Sequence, residues 1–155
     1  MATVTDIGFV RMQVSKVVGL KDTDGLSEFV VLDELDGDRH LLIQIGHAEA
    51  FALAATLDEM EWGRPMTYQF MAQLVRSLGG RIREVRLDGL QGVELVDARC
   101  SDALNLAALT AAPIFAALEL LEDRDRRQEG DSAEAVLMRR ALDACPMTIK
   151  RIDPS

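Results

Sequence analysis

The fold is decided by residues 28–60, which read EFVVLDELDGDRHLLIQIGHAEAFALAATLDEM. Residues 28–32 and 39–45 are rich in β-branched, aromatic and other apolar residues, a composition that favours strands. The polar residues 36–38 between them are typical of a hairpin loop. After the second strand, the apolar residues recur with a helical period as far as Met60. This stretch therefore predicts a β-hairpin that runs directly into a helix.

The rest of the chain adds strands and helices around this unit. Residues 9–14 predict a strand, and the polar turn at residues 21–25 separates it from the hairpin, giving three antiparallel strands. Further strands are predicted at residues 81–87, 93–96 and 114–115, and further helices at residues 67–78, 101–111, 118–127 and 133–144. The predicted fold class is α+β, with a mixed, largely antiparallel sheet packed with helices.

The composition is that of a globular protein with one core. The chain has 155 residues, of which 48% are hydrophobic and 28% charged. Its formal net charge of −9 argues against a broad nucleic-acid-binding surface, because such surfaces rely on Lys and Arg to neutralise phosphate. A small site in which a divalent cation bridges carboxylates and phosphate is still compatible with this charge.

The cysteines and the apolar segments indicate in which cellular compartment the protein is expected. Cys100 and Cys145 lie far apart and lack a metal-binding spacing, so reduced thiols are expected. No apolar run approaches the roughly 18 residues of a membrane span. The N-terminus also lacks the basic and apolar segments of a signal peptide. We therefore expect a cytoplasmic protein that does not associate with membranes.

The first candidate site is the predicted strand-to-helix junction that contains Gly46, His47 and Glu49. The free N–H groups and partial positive charge of a helix start bind anions and stabilise an ionised Glu49. This interpretation makes Glu49 a reactive group. The alternative is that Glu49 only stabilises the helix start and that His47 is a surface residue.

The second candidate site is the segment Gly-Arg-Pro-Met-Thr at residues 63–67. Pro65 stiffens the entry to a helix, and Thr67 is predicted to be its N-cap. The guanidinium group of Arg64 offers a flat fork to a carboxylate or a phosphate. The alternative is that Arg64 forms an ion pair with Glu49 and only fixes the loop.

The third candidate site is a second strand-to-helix junction at residues 97–103. Asp97 and Asp102, if they lie near Glu49, would form a carboxylate group able to hold magnesium or manganese. Alternatively, Ser101 and Asp102 are the N-cap and first-turn residues of the helix. Cys100 is a weaker candidate as a nucleophile, because the sequence places no histidine beside it.

These three segments together resemble the bifunctional nuclease (BFN) family, whose domains carry the motifs I-G-x-x-E-A, P-R-P-x-T-H-D and D-A-R-P-S-D-A. The order and spacing of the motifs match between Met12 and Leu121. The resemblance implies a mixed α+β domain, a homodimer or higher homo-oligomer, and RNase and DNase activity. On this basis we divide the chain into a BFN-like domain at residues 1–125 and a linker, helix and tail at residues 126–155.

The resemblance and the local arguments together assign roles to the candidate residues. The catalytic candidates are Glu49, Arg64, Arg99 and Asp102, the substrate-binding candidates are Gly46, His47, Thr67, Tyr68 and Ser101, and the candidate ligands for magnesium or manganese are Glu49, Asp97 and Asp102.

The sequence departs from the family pattern at three places. Tyr68 and Gln69 stand where the family has His-Asp, which removes an imidazole and a carboxylate that phosphodiester chemistry could use. Cys100 stands where the family has proline. The aromatic hairpin that usually precedes the third motif is missing, because residues 90–92 lead almost directly into the predicted strand that begins at Val93. We therefore expect a shorter sheet.

Three functions are consistent with these observations. The first is a metal-dependent nuclease that acts on RNA or DNA phosphodiesters, with the arginines stabilising phosphate charge. The second is a non-catalytic binding or regulatory subunit in which the arginines and carboxylates form an internal ion-pair network. The third is a repurposed enzyme on the same scaffold, with a small-molecule ligand between the two strand-to-helix junctions.

Overall fold

The computed structural model describes residues 8–87, 96, 98–122, 133–144 and 147. The strands of this part are β1 (Phe9–Asp22), β2 (Gly25–Glu34), β3 (His40–Ile45), β4 (Val85–Leu87) and β5 (Ile114–Ala117). The helices with both ends described are α1 (His47–Leu57), α2 (Thr67–Ser77), α3 (Cys100–Thr110) and α4 (Ala133–Asp143). Residues 118–122 are also helical. This combination of elements confirms the predicted α+β class.

The five strands form one sheet in the order β3-β2-β1-β5-β4. Neighbouring strands are antiparallel except β5 and β4, which are parallel. Parallel neighbours need a long crossover connection, and α3 lies in the connection between β4 and β5. The sheet is therefore mixed and largely antiparallel, as predicted.

The turn between β1 and β2 follows from its sequence. Asp22 pairs with Gly25, and the Asp22 Oδ1 atom accepts a hydrogen bond of 2.9 Å from the backbone N–H of Asp24. Gly25 has a φ angle of 131°, which residues with a side chain rarely adopt. The predicted turn at residues 21–25 is confirmed.

The strand β2 is covered on both of its faces. The main core lies between the sheet and helices α1 and α3, and it includes Val30, Leu53 and Leu104, each 0% exposed. On the opposite face, Val31 belongs to a second apolar cluster that contains Met138 of α4. Burial on both faces explains why β2 contains a continuous apolar run instead of an alternating pattern.

The C-terminal helix is tied to β1 by polar contacts as well. The ammonium group of Lys16 donates hydrogen bonds to the carbonyl oxygens of Leu142 and Ala144, at 2.5 and 2.8 Å. These carbonyls lie at the end of α4, where a positive charge is favourable. Helix α4 therefore covers the sheet face opposite α1 and α3.

Two strand lengths differ from the predictions. Strand β1 continues beyond the predicted end at residue 14. The predicted strand ends there because the register shifts between Val14 and Lys16, and this bulge interrupts the apolar alternation. The predicted strand at residues 81–87 forms only at Val85–Leu87, where the short strand β5 offers a partner. Of the predicted strand at residues 93–96 only Val96 is described, and the predicted helix at residues 118–127 is described only as far as residue 122.

In the part of the chain that the structure describes, no helix has the length and hydropathy of a membrane span.

Candidate functional site

Helices α1 and α3 pack against each other, and their N-terminal turns bring together charged residues about fifty positions apart. The Arg99 guanidinium donates from Nη2 to Glu49 Oε1 at 2.8 Å. The same group binds both carboxylate oxygens of Asp102, with Nε to Oδ2 at 2.8 Å and Nη2 to Oδ1 at 2.9 Å. The predicted meeting of Glu49, Arg99 and Asp102 at one place is therefore confirmed.

A tyrosine from α2 completes this group. The hydroxyl of Tyr68 donates a hydrogen bond of 2.5 Å to Asp102 Oδ1. Because α2 also packs against α3, the ring of Tyr68 is partly buried and its hydroxyl is directed at the start of α3. We call Glu49, Tyr68, Arg99 and Asp102 the junction cluster.

The hydrogen bonds of the junction cluster shift the pKa values of its members. The bidentate contact with Arg99, and then the hydroxyl of Tyr68, hold the pKa of Asp102 below its usual range. The pKa of Glu49 is lowered by a hydrogen bond from its own backbone N–H and by Arg99. Burial and the contact with Asp102 raise the pKa of Tyr68, so this hydroxyl stays protonated at neutral pH. The pKa of Arg99 is also raised, chiefly by Asp102.

Gly46 lies under the side chain of Glu49. It is the N-cap of α1 with an extended backbone, and it makes no side-chain cap. A Cβ atom at this position would lie 2.4 Å from Glu49 Oε2, because the Glu49 side chain folds back over the helix start. The carboxylate of Glu49 therefore lies beside the positive end of α1, where an external anion would otherwise be favoured.

Asn105 contacts the backbone of both helix starts of the junction cluster, and it is not among the residues predicted from the sequence. Its side chain is fully buried, and its Nδ2 atom donates to the carbonyl oxygens of Glu49, at 3.2 Å, and Ser101, at 2.9 Å. Its Oδ1 atom has no hydrogen-bond partner among the described residues. An amide at a core position of an otherwise apolar helix was the available signal, because buried polar groups normally have a structural or functional role.

His47 is directed away from the junction cluster. Its Nδ1 atom lies 2.5 Å from Oε1 of Glu28 in β2, and the Glu28 side chain is only 7% exposed. The His47 side chain is itself 75% exposed, so the alternative in which His47 is a surface residue is confirmed, although its imidazole contacts a buried carboxylate. Glu28 was not predicted, because a charged residue at the end of an apolar strand run gives no local sign of burial.

Arg64 does not join the junction cluster either. Its side chain is exposed in the loop before α2 and forms no ion pair with a described residue. The predicted alternative of an Arg64–Glu49 ion pair is wrong, because Glu49 pairs with Arg99. Asp97 lies outside the described residues, and Cys100 is an exposed free thiol at the first position of α3.

Both predicted N-caps are wrong by one or two positions. The N-cap of α2 is Met66 instead of Thr67, because the side chain of Gln69 accepts a hydrogen bond of 2.9 Å from the Met66 N–H. The N-cap of α3 is Arg99 instead of Ser101, because the carbonyl oxygen of Arg99 already accepts the first helical hydrogen bond. The alternative that makes Asp102 a first-turn residue is confirmed.

The donor set for a metal ion is incomplete in the part that can be described. Within residues 8–87, 96, 98–122, 133–144 and 147, no group of three or more His, Cys, Asp or Glu side chains is arranged to hold a metal. Glu49 and Asp102 are both engaged by Arg99. The third predicted ligand, Asp97, lies outside these residues, so the metal site stays a prediction.

The family model of the bifunctional nuclease domain matches residues 30–95, a range that contains Glu49 and Tyr68 but ends before Arg99. This chain belongs to the bifunctional nuclease domain family. It is similar to the uncharacterized proteins MT1877 and Rv1829, from the CDC 1551 / Oshkosh and ATCC 25618 / H37Rv strains of Mycobacterium tuberculosis. Each is 33% identical over 112 residues, which cover 64% of this chain and 68% of the relative. Neither name assigns an activity.

The two histidines of the chain provide a matched comparison for the buried Glu28. We expect His47→Ala to lower the free energy of unfolding by about 2 kcal/mol more than His40→Ala, because it leaves Glu28 buried without its partner. His40 pairs with Asp33, whose side chain is 30% exposed and can be solvated by water instead. Urea unfolding of both variants measures the difference, and equal losses would show that Glu28 does not depend on His47.

Proposed function

We propose that this family member is a binding or regulatory subunit in which the junction cluster fixes two helix starts and does not cleave phosphodiesters. The observation that carries the proposal is the engagement of both candidate catalytic carboxylates, Glu49 and Asp102, by the single guanidinium of Arg99. Carboxylates held in this way are poor metal ligands and poor bases, because Arg99 stabilises their ionised, paired form.

The replacement of the family's His-Asp pair supports the same proposal. Tyr68 supplies a hydrogen bond to Asp102, but its raised pKa keeps the hydroxyl protonated near neutral pH, so it cannot act as a base. Gln69 is engaged in closing the start of α2. Both positions therefore keep a structural contact and lack a group that titrates near neutral pH, as an acid–base mechanism requires.

The same proposal extends to location and partners. We place the protein in the cytoplasm, because the exposed thiol of Cys100 is compatible with a reducing compartment. The junction cluster contains two acidic side chains and one basic side chain, so its net charge is negative. A negative cluster does not favour the binding of a phosphate group. A homodimer or another protein is therefore a better proposed partner than a nucleic acid.

A metal-dependent nuclease is the second candidate function, and one observation favours it. Glu49 and Asp102 share the Nη2 atom of Arg99, whose side chain is 67% exposed and could turn away at little cost in packing. The two carboxylates, with Asp97 as the third predicted ligand, would then hold magnesium or manganese. A bound divalent ion would supply charge neutralisation for a phosphodiester.

A cleavage assay separates the two functions. The purified full chain is incubated with single-stranded RNA and DNA in the presence of magnesium or manganese, beside the variants Glu49→Gln and Asp102→Asn. The control is Asp33→Asn, which removes an acid paired with His40 outside the cluster. We expect no cleavage beyond the level of the two cluster variants. Cleavage by the wild type and by Asp33→Asn that both cluster variants lose would overturn the proposal.

A further inference from the structure

Helix α2 carries a row of apolar side chains that the fold leaves uncovered. Phe70, Met71, Leu74 and Leu78 are 55, 39, 46 and 79% exposed, and we call these four residues the α2 stripe. Within α2 only Ala72 is buried. Exposed apolar patches of this kind on a globular protein normally mark a contact surface.

The α2 stripe is contiguous and lies beside the face that packs on α3. At about 100° per residue, its four residues fall within roughly 100° of the helix circumference. Tyr68, Ala72 and Val75 lie next to this arc, on the side directed at the rest of the molecule. The apolar surface of α2 is therefore wider than the face that packs on the rest of the molecule, and its outer part is exposed to solvent. This arrangement is typical of a helix that packs against a second partner.

We propose that the α2 stripe is the interface of a homodimer in which α2 packs antiparallel against α2 of a second copy. Leu74 lies midway between Phe70 and Leu78, so a two-fold axis at Leu74 would place Phe70 of each copy against Leu78 of the other. A surface with this spacing is self-complementary, which a two-fold interface requires. The proposal does not depend on whether the junction cluster is catalytic.

The exposed area agrees with a dimer. Four side chains with these exposures present roughly 400 Å² of apolar surface, so two copies would bury about 800 Å² of it. Because apolar atoms make up about 60% of an interface, the total buried area would be about 1,300 Å². That area reaches the range of specific protein–protein interfaces, which begins at about 1,200 Å².

Charge favours a second copy over a membrane surface. The chain carries a net charge of −9, whereas no residue of the α2 stripe is charged, so two acidic copies can meet there without burying a charge. Helices that lie on membranes carry several Lys or Arg residues on the polar face. In α2 the polar face has Gln69, Gln73, Ser77 and one basic residue, Arg76.

Sedimentation of the full chain at micromolar concentrations tests the proposal. We expect a dimer for the wild type, and we expect Leu74→Glu to raise the dissociation constant by at least about 100-fold, because two carboxylates would face each other across the axis. The control is Val136→Glu on α4, where Val136 is 41% exposed and lies outside the α2 stripe. This variant should remain dimeric.

A second measurement covers the case in which Leu74→Glu fails to fold. Leu74→Cys in a background in which Cys100 and Cys145 are both replaced by serine should form an intermolecular disulfide on oxidation, because the two-fold axis brings the two introduced thiols together. Val136→Cys in the same background should not cross-link in this way. A monomeric wild type at all concentrations, an unchanged dimer in Leu74→Glu, or binding of the wild type to lipid vesicles without dimerisation would each overturn the proposal.

Discussion

Asn105→Asp is expected to lower the free energy of unfolding by more than about 3 kcal/mol. The amide of Asn105 is fully buried and donates to the carbonyl oxygens of Glu49 and Ser101. A carboxylate has no donor, so it would be buried against two acceptors and would have to take up a proton or force the helices apart. Urea unfolding at neutral pH, followed by the circular dichroism of the helices, measures the loss.

Two further variants separate the causes of that loss. Asn105→Ala removes the donors without adding charge, so a smaller loss of about 2 kcal/mol is expected. Thr110→Ala is the control on the same helix, because the Thr110 hydroxyl donates to the Leu106 carbonyl and links no other element among the described residues. Its expected loss is below about 1 kcal/mol. Equal losses in all three variants would show that Asn105 does not join α1 to α3.

Arg99→Gln is expected to remove much of the pH dependence of stability in acid. The pKa values of Glu49 and Asp102 are lowered in the folded protein, so their contribution is present above the pKa values of the unfolded chain. That contribution is lost as the pH falls through the lowered values, between about pH 5 and pH 2. Without Arg99 both pKa values rise part of the way toward those of the unfolded chain, because the backbone N–H of Glu49 and the hydroxyl of Tyr68 still lower them, and the unfolding free energy should change less over this interval.

Arg39→Gln is the matched control for this pH dependence. Arg39 binds Glu34 through two hydrogen bonds of 2.8 and 2.9 Å and lowers the pKa of that carboxyl group. Its replacement should flatten the acid limb less than Arg99→Gln, which releases two carboxylates. Melting temperatures measured from pH 7 to about pH 2 compare the variants. A larger flattening in Arg39→Gln would contradict the assignment of Arg99 as the centre of the cluster.

The parts of the fold that could be predicted are those set by local pattern. The hairpin and α1 follow from residues 28–60, because their apolar periods and turn residues are continuous in the sequence. The full length of β1 could not be predicted, since the bulge after Val14 breaks its alternation. The parallel pairing of Val85 with Ile114 joins residues far apart in the chain, and neither segment shows its partner.

The junction cluster shows the same limit. Glu49, Arg99 and Asp102 could be predicted to meet, because each occupies a helix start and the resemblance places both starts in one family pattern. The contacts of Tyr68 with Asp102 and of His47 with Glu28 depend on how α2 and β2 are placed in three dimensions. Local propensity does not determine such placements, so these contacts required the structure.

The most direct test of the central claim, that Arg99 holds Glu49 and Asp102 in a closed ionic cluster, is a crystal of the protein soaked in manganese. We predict that Arg99 keeps its contacts with both carboxylates and that no manganese lies between them. Anomalous density for manganese bound by Glu49 and Asp102, with the Arg99 side chain turned away, would contradict the claim and favour the nuclease.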